Sequence, residues 1–163
     1  MFSVGAHVVY PLHGGAVIEE LQHREQSGEV VEYYMLRMLF ENMTVAVPVE
    51  SAEKLGLRDV VQPQQLLEVA QVLKEDPDVK SVKSISWNRR FQLYMEKIKS
   101  GDILQVARIF KILSVLEGMK KISVGERRLL HNTKQILQSE IMLVENIDAE
   151  AAEQWLQKAL NEN

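Results

Sequence analysis

The chain contains no cysteine among its 163 residues. Disulfide bonds and thiolate metal sites are therefore excluded, and this absence fits a protein of the reducing cytoplasm. No run of about eighteen apolar residues is present, so we expect no transmembrane helix. The first residues, MFSVGAHVVYP, have neither a basic region nor a long apolar stretch, and we expect no signal peptide.

Sequence motifs for catalysis and for metal or phosphate binding are also missing. The chain has four histidines, and no two have the spacing of metal ligands on one element: His7, His13, His23 and His131. HGG at 13–15 faintly resembles a lipase oxyanion loop, but Gly-x-Ser-x-Gly is absent, and so is a glycine-rich phosphate loop. We therefore expect no enzyme, no metal and no cofactor, and we interpret Gly14 and Gly15 as a turn that needs positive φ.

Positive charge is scarce overall but concentrated in one third of the chain. Lys and Arg number 19 against 23 Asp and Glu, a net charge of −4. Residues 79–134 nevertheless hold thirteen basic and four acidic residues, a balance of +9. Clustered basic residues are the electrostatic footprint of nucleic-acid binding. Solvated helix faces would give the same count, so charge alone leaves both interpretations open.

Residues 4–61 have the composition and turn signals of short strands. The predicted strands are HVVY, GAVIEEL, VVEYYMLRML and TVAVPV, with turns at 13–15, 26–29 and 41–43. Four or five short strands with little helix favour a small, strongly bent sheet or barrel. Pro48 cannot donate to a strand ladder, so its strand is expected at a sheet edge.

The apolar period changes to that of helices from Pro63, which suits a first helical position. Further helix starts are predicted at the cap residues Ser86, Asp102 and Asp148, and at the capping box SVGE, residues 123–126. Five helices with short loops make a compact bundle. The predicted fold class is therefore α+β: a small bent β-sheet or barrel at 1–62, followed by a compact C-terminal bundle of about five helices at 63–163.

The segment SWNRRF, residues 86–91, places a tryptophan directly before two arginines. Trp87 begins an apolar stripe of helical spacing that continues to Ile98, which favours a core position. It would also lie in the first helical turn, partly outside the bundle, beside Arg89 and Arg90. An exposed aromatic ring there can stack on bases while guanidiniums hold phosphates. The residues alone leave both positions for Trp87 open.

Four segments, taken together and in order, resemble the CarD/CdnL family of bacterial transcription regulators, of the short CdnL type. They are VVYPLHGGAVI, VPVESAEKLGLRDVV, SWNRRFQLYMEKIKSGD and ISVGERRLL. The resemblance implies a Tudor-like N-terminal domain that interacts with RNA polymerase, also found in transcription-repair coupling factors. It implies a helical C-terminal domain that contacts promoter DNA. Members bind the polymerase β subunit and stabilise the open promoter complex.

The resemblance also implies roles for individual residues. A tryptophan at the upstream edge of the melted bubble corresponds to Trp87, with Arg89 and Arg90 beside it, which favours display over burial. Arg127 and Arg128 are further candidates for phosphate contact, with a solvated helix face as the alternative. The residues expected to bind polymerase lie on the strands: Arg24, Met35, Val45, Ala46, Val47 and Pro48.

The strand TVAVPV could add to a sheet of the polymerase through main-chain hydrogen bonds. We expect the outward donors of that strand to include Val45 and Val47. Ala46 stands at a family position that is basic in some members, a departure that bears on the strength of the contact.

We expect two partners: the polymerase β subunit, and promoter DNA bound weakly and largely without sequence preference. We expect no membrane partner, a monomer, and a cytoplasmic location associated with the nucleoid through RNA polymerase. Two alternatives stay open. A stand-alone nucleic-acid-binding protein with a Tudor-like or KOW-like barrel would bind nucleic acid tightly by itself. A protein–protein adaptor without DNA contact would bury Trp87.

Overall fold

The computed structural model describes residues 1–161, in which strands come first and helices follow. The strands are β1 (His7–Tyr10), β2 (Gly14–Gln26), β3 (Glu29–Met38), β4 (Thr44–Pro48) and β5 (Arg58–Asp59), with a short 3-10 helix at Val49–Ser51. The helices are α1 (Pro63–Lys74), α2 (Val79–Lys83), α3 (Trp87–Lys99), α4 (Ile103–Gly118), α5 (Val124–Glu145) and α6 (Ala149–Asn161). The predicted α+β class is confirmed.

The five strands form one antiparallel sheet in the order β4-β3-β2-β1-β5. The sheet is open, with β4 and β5 at its edges, and is not a closed barrel. A register shift between Ile18 and Glu20 interrupts the pairing of β2 with β3 and bends the long strand there. Pro48 ends the edge strand β4, as the missing donor of proline predicts.

The predicted helix caps are confirmed at α4, α5 and α6. The Asp102 carboxylate accepts a backbone amide hydrogen at the start of α4, and Asp148 does the same before α6. In the capping box, Ser123 Oγ accepts from the Glu126 amide, and Glu126 accepts from the Ser123 amide, both at 3.2 Å. Ser86 is the N-cap residue of α3, but its side chain makes no cap hydrogen bond.

Residues 1–161 contain six helices, one more than the sequence predicts. The additional helix is α2, whose start is capped by Asp78: its carboxylate accepts from the Ser81 amide at 3.0 Å. Five residues are too few to show a helical apolar stripe, so periodicity does not detect the element. No helix in the described chain has the length and apolar character needed to cross a bilayer.

The strands and the helices have separate apolar cores. Fully buried side chains of the sheet include Val8, Ile18, Tyr34, Leu36 and Val47. Fully buried side chains of the helical bundle include Leu73, Ile98, Leu113, Leu137, Ile141 and Leu156. Strands give way to helices between β5 and α1, and a division into two domains near residue 62 stays a prediction.

Hydrogen bonds from Arg58 join the sheet to the helical bundle. Its guanidinium donates to both carboxylate oxygens of Glu140 in α5, at 2.8 and 2.9 Å, and its Nε donates to the Gly101 carbonyl at 2.7 Å. Glu140 also accepts from the Val61 amide at 2.8 Å. Because Glu140 is only 1% exposed, these partners compensate for the desolvation of its charge.

Gly14 and Gly15 allow β2 to begin directly against α5. Gly14 has a φ of +89°, so the predicted positive φ is confirmed there, although the turn itself lies at residues 11–13 and Gly14 begins β2. Gly15 does not have a positive φ, and close packing explains why a glycine stands at this position. A Cβ on Gly15 would lie 3.1 Å from the Ser139 carbonyl oxygen and 3.0 Å from Leu143 Cδ1. The Gly15 amide also donates to Ser139 Oγ at 2.7 Å.

We expect Gly15→Ala to lower the free energy of unfolding by about 1–3 kcal/mol, because the added methyl overpacks the contact between β2 and α5. Urea unfolding followed by circular dichroism measures the change. The matched control is Gly118→Ala, where a Cβ meets no atom within 4 Å. That helical substitution should be neutral or stabilising by up to about 1 kcal/mol. Equal unfolding midpoints for the two variants would contradict the packing argument.

Candidate functional site

The first candidate surface lies on the outer face of the sheet beside β4, and we name it the sheet-edge surface: Arg24, Tyr33, Met35, Ala46 and Pro48. Met35 pairs with Ala46, and Tyr33 pairs with Pro48. Side chains alternate between the faces of a strand, so these two pairs share one face. Their neighbours Tyr34, Leu36 and Val47 point to the core on the other face.

Arg24 lies flat across this surface. Its guanidinium carbon is 4.8 Å from the centre of the Tyr33 ring, within the range of a cation–π contact. Its Nη2 donates to Gln22 Oε1 at 3.0 Å and lies 3.9 Å from Met35 Sδ. Arg24 itself stays exposed. These contacts hold the charge over β3, the strand next to the edge strand β4.

The unpaired main-chain donors of β4 include Ala46. The Met38 amide donates to the Met43 carbonyl at 3.0 Å just before β4. Hydrogen-bonded and non-hydrogen-bonded pairs alternate along an antiparallel ladder, so in this register Val45 and Val47 bond to β3. The outward donor that the sequence analysis expects at Val45 and Val47 therefore lies at Ala46. The alternation of hydrogen-bonded and non-hydrogen-bonded pairs between β3 and β4 decides which amides point outward, and the sequence does not show this alternation.

The second candidate surface lies where the N-termini of α3 and α5 meet, and we name it the Trp87 corner: Trp87, Arg90, Phe91, Gly125 and Glu126. Trp87 is 37% exposed, and its ring centre is 5.7 Å from that of Phe91. One edge of the indole lies against α5, since a Cβ on Gly125 would be only 2.7 Å from the indole Cζ2. Trp87 is therefore partly packed and partly open to solvent.

Arg90 is buried beneath Trp87. The residue is 8% exposed, and its guanidinium carbon lies 5.5 Å from the centre of the Trp87 ring. Nη1 donates to the Ile85 carbonyl at 2.8 Å, and Nη2 lies 3.4 Å from Glu126 Oε1. A phosphate contact needs donors that reach solvent. The geometry therefore favours Arg90 as a support for Trp87 over the phosphate contact expected from the sequence.

Glu126 is the buried carboxylate at the centre of the corner. Tyr94 donates its hydroxyl to Glu126 Oε2 at 2.8 Å, and Lys83 Nζ lies 3.5 Å from Oε1. Burial alone would raise the pKa of Glu126, but the hydrogen bonds from Tyr94 and Ser123 and the charge of Arg90 outweigh it and lower this pKa. Burial, followed by the bond to Glu126, raises the pKa of Tyr94, so the phenol stays protonated and donates.

The remaining predicted cations are exposed on α3 and α5. Arg128 follows Gly125 by three residues, which places it on the same side of α5, one turn further along. Arg127 follows Gly125 by two residues, which places it on the opposite side of α5. Arg89 likewise follows Trp87 by two residues and lies on the opposite side of α3. Arg128 is thus the arginine of α5 that the helical spacing places nearest to Trp87.

The sequence analysis missed the contributions of Gly125 and Tyr94 to the corner. The available signal was a glycine inside the first turn of a helix whose capping box needs no glycine. No group of three His, Asp or Glu side chains within residues 1–161 is placed to hold a metal ion.

Comparisons with known proteins identify the family of this chain. Residues 2–61 match the family model of the CarD-like/TRCF RID domain, and residues 68–157 match that of the CarD C-terminal domain. The chain is 29% identical over 147 residues to a Bacillus subtilis (strain 168) protein named "Putative transcription factor YdeB", covering 90% of this chain and 94% of the relative. The chain therefore belongs to the CarD-like family of transcription regulators, and its strand half is a domain of the type that interacts with RNA polymerase.

Proposed function

We propose that this protein binds the polymerase β subunit through the sheet-edge surface and stabilises the open promoter complex through the Trp87 corner. Trp87 would stand at the upstream edge of the melted DNA. The observation that carries the proposal is the partial exposure of Trp87, 37%, at the meeting point of two helix N-termini. We also propose that the protein acts as a monomer and reaches the nucleoid through RNA polymerase.

The sheet-edge surface has the features of a site for strand addition. β4 is an edge strand, and the outward Ala46 amide can donate to an added strand. Pro48 limits the length of that pairing, because it offers no donor. Over the neighbouring strand β3, Arg24 presents a positive charge that favours an acidic partner surface. Main-chain bonds would supply affinity, and Arg24 and Met35 would select the partner.

The Trp87 corner has the features of a base-stacking site. Trp87 and Phe91 are 37% and 41% exposed, an unfavourable position for two large aromatic rings in water. An unpaired base stacked on the indole would remove that surface from water and contribute about 1–3 kcal/mol. An unpaired base where base pairs end offers a whole face for stacking, so the contact would favour separated strands. An adaptor without DNA contact predicts a buried Trp87, which the exposure disfavours.

The exposed arginines support phosphate contact beside Trp87. Arg89, Arg127 and Arg128 are exposed, and within residues 1–161 none of them lies at ion-pair distance from a carboxylate. Phosphate contacts attract and orient DNA without reading its sequence. Arg128, on the Gly125 side of α5, is the first candidate because it lies on the same side as the indole.

We expect Ala46→Pro to weaken binding to the purified β subunit about fivefold or more, because one main-chain hydrogen bond contributes about 1 kcal/mol. Isothermal titration calorimetry measures the dissociation constant. The matched control, Ala46→Ser, keeps the amide hydrogen and should bind like the parent. Val45→Pro should instead break the ladder with β3 and lower stability. Equal affinity of Ala46→Pro and Ala46→Ser would contradict strand addition.

We expect Trp87→Ala to shorten the lifetime of the promoter open complex about fivefold or more, since a stacked base contributes about 1–3 kcal/mol. The lifetime is measured with purified polymerase after addition of a competitor. Truncation of a core tryptophan typically lowers the free energy of unfolding by about 3–5 kcal/mol. The loss for Trp87→Ala should be smaller. Trp155→Phe, a change at the other tryptophan, should leave the lifetime unaltered. An unaltered lifetime for a folded Trp87→Ala protein would refute the stacking role.

We expect the isolated protein to bind duplex DNA weakly and without sequence preference, with affinity falling steeply as salt increases. Each phosphate contact contributes a log–log salt slope of roughly −0.9. Arg128→Ala should reduce the slope by about one contact, whereas Arg90→Ala should leave it unchanged, because the Arg90 guanidinium is already engaged. Fluorescence anisotropy at several salt concentrations measures both slopes. Tight, base-specific binding without polymerase would favour a stand-alone nucleic-acid-binding protein.

A further inference from the structure

Gly125 occupies a place where its conformational freedom is not needed. It lies in the first turn of α5, and it is not among the glycines with positive φ. Glycine is one of the poorest helix-forming residues, because ordering its backbone costs the most entropy. The backbone therefore gives no reason for a glycine at this position, and alanine would favour the helix. The reason must come from what a side chain there would touch.

The indole of Trp87 is what a side chain at residue 125 would touch. A Cβ would lie 2.7 Å from Cζ2 and 2.9 Å from Cη2 of the indole, closer than such atoms approach in folded proteins. The six-membered ring of Trp87 therefore lies against the bare backbone of α5. Any residue larger than glycine would force the ring to turn away from its present position.

Arg90 contacts the same indole through a cation–π interaction with the Trp87 ring. The Arg90 guanidinium carbon lies 5.5 Å from the ring centre, within the range of about 6 Å for a cation–π contact. The guanidinium cannot swing freely, because it donates to the Ile85 carbonyl and pairs with Glu126. Glu126 follows Gly125 directly in the chain, so one corner of α5 both touches the indole and fixes the arginine that supports it.

We propose that Gly125 and Arg90 are positioning residues that fix the orientation of the Trp87 indole, with Glu126 holding Arg90 in place. The indole is thereby set before DNA arrives, and stacking on a base need not first order it. The consequence for the open complex rests on the proposed function, whereas the orientation of the indole does not. Two readouts can therefore test the two claims separately.

The test uses the full chain with Trp155→Phe, so that Trp87 is its only tryptophan. In this background Gly125→Ala should shift the emission maximum of Trp87 and change its quenching by acrylamide at least twofold. Open-complex lifetime should shorten at least threefold. Gly118→Ala makes the same chemical change in open space and should alter neither readout. Circular dichroism confirms that each variant is folded.

A second variant tests the positioning role without adding a clash. Arg90→Lys keeps the positive charge but loses the planar fork that joins the Ile85 carbonyl to Glu126. Trp87 in this variant should also show altered quenching and a shortened open-complex lifetime. In a Trp87→Ala background, Gly125→Ala should have no further effect on lifetime, because the group it displaces is gone.

The outcomes separate the two claims. Unaltered Trp87 emission and quenching in both Gly125→Ala and Arg90→Lys would overturn the positioning role, whatever the lifetimes. Altered fluorescence with a parental lifetime would support the positioning role and overturn the stacking function proposed for Trp87. A lifetime effect of Gly125→Ala that persists without Trp87 would also overturn the role, because the residue would then act by another route.

Discussion

The buried carboxylate of Glu126 is the interaction on which the Trp87 corner depends. It completes the cap of α5, accepts the Tyr94 hydroxyl from α3, and lies close to Lys83 of α2. The carboxylate must be ionised to hold Arg90, and the lowered pKa of Glu126 keeps it so. A folded-state pKa below the unfolded value stabilises the protein above that unfolded value, and the stabilisation is lost as pH falls through the folded pKa. One charge thus joins three helices.

The pair of Arg58 and Glu140 gives the two candidate surfaces a common frame. Arg58 belongs to the edge strand β5, and Glu140 lies on α5, the same helix whose first turn supports Trp87. The close approach of Gly15 to Ser139 adds a second contact between β2 and α5. If polymerase binds the sheet-edge surface as we propose, the sheet and α5 connect it to Trp87.

Local rules predicted the elements of the fold well, whereas contacts across the chain decided the site. Asp102 and the Ser123 capping box marked helix starts because a cap depends on residues within one turn. The five residues of α2 were missed because so short a helix shows no apolar stripe of helical spacing. The burial of Arg90 depends on Glu126, 36 residues further along the chain, which no local pattern shows. Likewise, the outward donor of β4 is set by pairing with β3.

The basic third of the chain offers less free positive charge than its composition suggests. Arg90 and Lys83 lie against Glu126, Lys134 pairs with Glu153, and Lys111 is buried. We therefore expect attraction to DNA to be modest, and under the proposed function it need not be large, because polymerase would already hold the protein at the promoter. Tethering of this kind makes the second contact intramolecular, with effective concentrations on the order of millimolar. Under the proposed function, a contact too weak to recruit the protein would then still retain the open complex, because the indole would stack on bases exposed by strand separation.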